Sequence, residues 1–172
     1  MIQDPPPIAP PAGVDPDAWD AAVDAARRYC NWHIAPVASE TVRVTATKGE
    51  LVPPTLRLVS VTSLALAGVS IPLGDVEVYG NRITRPARFG GCVTVTMTHG
   101  YATLPASITA AIRALVAAQA AAAEAPGVAS LGSGPHTMGR SRAAQSGYAG
   151  IPDEIARTLD AFWVPACPAP EE

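Results

Sequence analysis

Four residues in this sequence have side chains suited to metal or nucleophile chemistry. Cys30-x2-His33 and Cys92-x6-His99 supply two thiols and two imidazoles, the donor types of a closed tetrahedral zinc site. The spacing is unlike that of the recurring zinc modules, and nothing in the sequence fixes the two halves next to each other. Cysteine is also often buried simply as a small apolar side chain, and Cys30 falls on the apolar face of an expected helix. A Cys–His nucleophilic pair has still less support, and His136, in a Gly-rich stretch, reads as solvated. The sequence contains no P-loop, no GxGxxG, no GxSxG and no HExxH. No pair of carboxylates stands out as an acid–base dyad, and the central β-type region holds few acids, mainly Glu50, Asp75 and Glu77. No catalytic, cofactor-binding or metal-binding residue is therefore assigned, and no cofactor is expected.

Those residues sit in a chain of 172 residues with a formal net charge of −3, which gives no basic surface for gripping nucleic acid. The length suits one domain with appendages. Three cysteines, Cys30, Cys92 and Cys167, are too few and odd in number for a disulfide framework, so synthesis in a reducing cytoplasm is expected. Met1–Pro11 has neither a basic n-region nor an apolar h-region, so no signal peptide is expected. The alanine tract after Ile108 is too weakly hydrophobic for a membrane span, and the protein reads as soluble.

The elements follow from periodicity. Residues 1–14 include DPPPIAPP, a proline-dense arm that cannot start a helix. Asp15 and Pro16 then suit the cap and first position of a helix ending near Asn31. Trp19, Ala22, Val23, Ala26 and Cys30 share one face, with Asp17, Asp20, Asp24, Arg27 and Arg28 opposite. Residues 41–98 switch to period two and read as an antiparallel β module of five or six short strands. Within it Leu56 and Leu58 alternate with polar neighbours, and hairpins turn at Ala67-Gly68 and Gly80-Asn81, where positive φ is tolerated. A second helix spans 105–124, with Ile108, Ile112, Leu115, Val116 and Gln119 on one face. The predicted class is α+β: helices flanking a small antiparallel β module, then a long extended loop and a short C-terminal helix.

The second helix has an unusually uncharged outer side, with only Arg113 and Glu124 ionised. Ala114, Ala118 and Ala121 are candidates for packing against a neighbouring subunit, because alanine lets another backbone approach closely. GC-rich codon usage could also have written these alanines. Together 15–125 make a core. Residues 126–150 are rich in Gly and Ser and show no period, which marks a functional segment or a linker. Residues 151–165 form a short helix carrying Ile155, Leu159, Phe162, Trp163 and Val164, expected to dock on a partner because so short a helix is not stable alone. Residues 166–172 read as a disordered tail.

Three stretches carry a resemblance: AARRYCNWHIAP, VTVTMTHGYATLPASITAAIRALVAA and LDAFWVP. In this order they resemble the head-to-tail connector or adaptor (head completion) proteins of tailed bacteriophages, over most of 15–165. The resemblance implies a non-enzymatic virion protein of the neck, made in the host cytoplasm. It implies a homo-oligomeric ring of about twelve copies bound under the portal protein, with closed rotational contacts. The next neck protein, a stopper, or the tail would lie below it, and genomic DNA would pass through the lumen without specific binding; no membrane is involved. In this reading Ile155, Leu159, Phe162, Trp163 and Val164 meet the portal or a neighbouring subunit. The alternatives are a stopper or tail-completion protein of the same particle, a small zinc- or cysteine-dependent enzyme, and a monomeric β-rich binding module.

Overall fold

A computed structural model of the chain describes residues 5–124 and 151–165. Residues 1–4, the expected loop 126–150 and the expected tail 166–172 lie outside the described residues. The fold is α+β, with helices, a four-stranded antiparallel sheet and a two-stranded ribbon. The chain divides into two compact units, one helical and one β-rich. Among the described residues no helix is long and apolar enough to cross a membrane.

The helical unit takes Ile8–Cys30 and Pro105–Trp163. Helix α1 spans Pro16–Cys30. Proline suits its first position, where no N–H is needed, and the Trp19 N–H bonds the Asp15 carbonyl at 3.0 Å to open the ladder. Trp19, Ala22, Val23, Ala26 and Cys30 are all buried, as the spacing predicts. Arg27 departs from its expected place on the polar side and is only 9% exposed. Burial pulls its pKa down, partly offset by the carboxylates of Asp24 and Asp20. The Pro-rich segment is not free along its whole length, because the Trp19 indole N–H donates to the Ile8 carbonyl at 3.0 Å.

Helix α2 spans Ala106–Glu124 and buries Ile108, Ala111, Ile112 and Leu115. Val116 is half-buried and Gln119 is exposed, so the inward stripe is rotated slightly from the expected one. Helix α3 spans Asp153–Asp160, and it packs against both α1 and α2. Its residues Ile155, Ala156 and Leu159 are 7%, 0% and 0% exposed. Helices of their own chain thus cover Ile155 and Leu159, two of the side chains expected to meet a partner. Burial against α1 and α2 supplies what an eight-residue helix cannot supply alone. The Tyr29 hydroxyl adds a 2.6 Å hydrogen bond to Asp160 Oδ1. Phe162 and Trp163 follow α3 and are half-buried.

The β unit is built from Asn31–Leu104 together with terminal residues that include Val164. Val164 is buried, and its carbonyl accepts the Asn31 side-chain amide at 3.2 Å. Strands β1 (Ala38–Thr45), β2 (Leu58–Leu66), β3 (Val69–Ile71) and β6 (Cys92–His99) form one sheet in the order β1-β6-β2-β3. Strands β4 (Glu77–Tyr79) and β5 (Arg82–Thr84) form the ribbon. Ala67 and Gly68 both take positive φ in the β2–β3 hairpin, whereas only Gly80 does so in the β4–β5 turn. Leu56 falls outside β2, against expectation, and is exposed. Reciprocal backbone bonds between Leu51 and Ile83, at 3.0 and 2.9 Å, tie the ribbon strand β5 to the segment after β1.

Strand β6 is central and alternates without a break. Val93, Val95, Met97 and His99 are buried, while Cys92, Thr94, Thr96 and Thr98 are half-exposed. The buried side joins Val44, Leu51, Leu64, Ile71, Ile83 and Phe89 in one apolar cluster. The open side carries a hydroxyl ladder: Ser39 Oγ meets Thr98 Oγ1, and Thr41 Oγ1 meets Thr96 Oγ1, each at 3.0 Å. Such cross-strand pairs fix register while leaving that face polar.

Leu159→Ala tests the placement of α3. Removing a fully buried leucine should lower the unfolding free energy by about 2–5 kcal/mol, read by urea denaturation. A loss no larger than that of a surface substitution would place α3 outside the core of its own chain.

Candidate functional site

The β-strand period of two delivers polar side chains to the end of an apolar face. On β6, His99 shares parity with Val93, Val95 and Met97, so it is turned inward and is 1% exposed. On β1, Glu40 shares parity with Val42 and Val44. Ala38 is the partner of His99 in the ladder, which makes Glu40 the diagonal neighbour of His99. Its Oε2 accepts from His99 Nε2 at 3.1 Å, with the Glu40 side chain 14% exposed.

His33 arrives from the loop after α1. Asn31 and Ile34 both adopt positive φ, 65° and 64°, and for a β-branched residue such as Ile34 this conformation is strained. A tight turn about Ile34 is closed by the Ala35 N–H on the His33 carbonyl at 2.8 Å. The Tyr101 N–H then bonds the Ile34 carbonyl at 2.8 Å, and the Gly100 N–H bonds the Arg57 carbonyl at 2.8 Å. The first of these clamps the loop to the exit of β6, where the His33 ring lies edge-on to the His99 ring, with centroids 4.3 Å apart and planes at 87°. Trp32 stacks on His99 at 6.5 Å and 20°, and lies 5.9 Å from the Tyr101 ring.

Gly100 makes this approach possible. It has φ 109°, and a Cβ there would lie 2.6 Å from His33 Nε2 and 2.8 Å from the Pro36 carbonyl oxygen. The sequence alone gives Gly100 only the role of ending the strand, and it does end it, one residue after β6. The requirement for close approach comes from packing.

Hydrogen-bond partners fix the protons. The Pro36 carbonyl can only accept, so His33 Nε2, 2.9 Å away, carries a hydrogen. The Glu40 carboxylate likewise accepts from His99 Nε2–H. His99 Nδ1 is buried and has no hydrogen-bond partner among the described residues. One ligand atom from each of His33, Glu40 and His99 falls within 4.8 Å of the other two. These are donors of the kind that hold transition metals.

Of the four residues singled out by type and spacing, the structure unites His33 and His99, while Cys92 lies at the far end of β6 and Cys30 packs within the helical unit. Cys92 begins β6 and His99 ends it, so seven residue steps of strand, about 23 Å, separate them. Cys30 belongs to the helical unit, where its thiol faces the Leu159 carbonyl at 3.7 Å. Burial, with the Asp160 carboxylate adding, pushes the Cys30 thiol up to about 12, the reverse of what a thiolate nucleophile needs. Glu40 is the residue that sequence reasoning missed. Its signal was an acid in phase with Val42 and Val44, two positions before an inward-facing run.

No protein-family model matches the chain, and no curated protein matches it.

Two substitutions probe these placements. Gly100→Ala should cost at least about 2 kcal/mol, from backbone strain and the collision with His33; a chemical melt within experimental error of the parent would show that the loop is free to retreat. The raised Cys30 pKa predicts a base-side loss of stability. The unfolded thiol ionises near 9 and the folded one near 12, so its contribution is whole below pH 9 and declines as pH rises towards 12, by at most about 1.4 kcal/mol per pH unit. Cys30→Ser keeps a donor for the Leu159 carbonyl and does not ionise. Melting curves from pH 8 to 10 should therefore fall more steeply for the parent than for the variant.

Proposed function

We propose that this chain is a structural head-to-tail adaptor of a tailed bacteriophage, acting as a ring of about twelve copies beneath the portal. The observation that carries this reading is the convergence of two of its telling motifs. Residues of WHIAP and of THGY pack into one junction, where the His33 and His99 rings meet and Tyr101 N–H bonds Ile34 O. A junction of this kind serves to hold a loop on a strand end. The order of helix, β module, long helix and short C-terminal helix supports the adaptor over the neighbouring reading of a stopper or tail-completion protein. The raised pKa of buried Cys30 opposes a cysteine-dependent enzyme.

Helix α2 supplies the subunit-facing surface in this proposal. Ala114 and Ala121 are exposed and Ala118 is half-buried, so this uncharged face is largely unused by the chain's own core. The β unit adds exposed apolar side chains at Val59, Val69, Val78 and Tyr79, which suit contact with further subunits or the next neck layer. With Ile155 and Leu159 covered within the chain, the portal contact falls to other surfaces. DNA would pass through the ring without being gripped, in keeping with a net charge of −3.

Mass-resolved chromatography tests the proposal. The protein alone should run as a small species, and the protein mixed with its portal should run as a ring-sized complex. Failure to join the portal at any ratio would defeat it. Ala114→Glu, Ala118→Glu and Ala121→Glu combined should preserve the helical circular dichroism, since glutamate is a good helix former. The same triple variant should abolish ring formation, because a buried unpaired charge is costly; normal rings would move the subunit interface elsewhere.

A further inference from the structure

We propose that His33, Glu40 and His99 form a binding site for a single divalent transition-metal ion of the zinc type, which pins the loop after α1 to the end of β6. The inference is independent of the adaptor reading. It stands on three observations. The three residues come from a loop and two strands, yet one ligand atom from each lies within 4.8 Å of the others. Both imidazoles are almost fully buried, at 3% and 1% exposure. The ring nitrogen Nδ1 of His99 is buried with no hydrogen-bond partner among the described residues, and an unmet buried polar atom calls for a ligand.

The distances suit a small ion. Tetrahedral zinc holds nitrogen and oxygen at about 2.0–2.2 Å, which sets neighbouring ligand atoms roughly 3.3–3.5 Å apart. One ligand atom from each of His33, Glu40 and His99 is already within 4.8 Å of the other two. The widest gap in the trio has to close by little more than about an ångström to meet the same spacing. Two imidazoles and one carboxylate is a donor set that zinc accepts with a fourth position left over.

Metal-free, the cluster is held by His33 Nε2–H on Pro36 and by His99 Nε2–H on Glu40. An imidazole binds metal through an unprotonated nitrogen, so uptake competes with protons and weakens as pH falls. Ligation cross-links the loop that carries His33 to β1 and β6, and the ion stabilises the folded state by linkage.

The test uses full-length protein stripped with chelator and titrated with Zn2+ alone. Calorimetry should give about one zinc per chain, with a rise in melting temperature. Co2+ in place of zinc should give visible ligand-field bands without thiolate-to-cobalt charge transfer, because neither Cys30 nor Cys92 takes part. Glu40→Gln retains an acceptor for His99 and so keeps the fold, which circular dichroism checks; it should weaken zinc binding at least about tenfold. The double variant Cys30→Ser, Cys92→Ser should bind as the parent does. Absent or substoichiometric binding, binding indifferent to Glu40→Gln, a thiolate band with cobalt, or loss of binding in the cysteine variant would each overturn the proposal.

Discussion

The two-sided pairing of β6 is the constraint on which the β unit depends. It bonds to β1 along one edge over its whole length and to β2 along the other from Val93 to His99, with two register shifts in β2. A strand fixed on both sides cannot slip by one residue without turning Val93, Val95 and Met97 out of the core. That register also decides where His99 points. Because it is the fourth residue of the inward set, it must enter the protein at the point where the apolar face ends. Glu40 is carried inward by the same rule acting on β1.

Two imidazoles and a carboxylate at the rim of an apolar cluster would be unfavourable if left unpaired. Hydrogen bonds from His33 to Pro36 and from His99 to Glu40, with Trp32 stacked on His99, reduce that cost. The arrangement is specific because each piece limits the others. The loop reaches the strand end only by positive φ at Asn31 and Ile34, and only past a residue with no side chain, Gly100. A polar network held this tightly favours one conformation over its competitors. It makes the WHIAP and THGY segments parts of a single local structure, although they are more than sixty residues apart in the sequence.

The helical unit is organised on a different principle. Its three helices cover one another with ordinary apolar stripes, and α3 needs α1 and α2 to exist at all. The inward face of α2 is used by Ile108, Ala111, Ile112 and Leu115, while the outward alanines bury little within their own chain. A surface that is helical, smooth and uncharged costs little to bring against another copy, because few solvated charges must be stripped. That property gives the adaptor proposal its structural footing.

Local periodicity determined the element list. The period of 3.6 located α1, α2 and α3, and the period of two located the strands, while Leu56, Arg27 and Gln119 fell outside their expected places. These signals are legible because each element presents one face to an apolar interior, and the repeat of that face is written in consecutive residues. The tertiary structure alone decided what the faces meet. A long connection between Glu124 and the C-terminal helix suggested a distant partner for Ile155 and Leu159, but connection length sets only how far a segment can reach, not where it gains most by burial. The site shows the same division. His33 and His99 were visible by type, whereas the exclusion of Cys30 and Cys92, the entry of Glu40 and the need for Gly100 arose from strand register and close approach. Those are relations between residues far apart in the chain, and no single stretch of sequence encodes them.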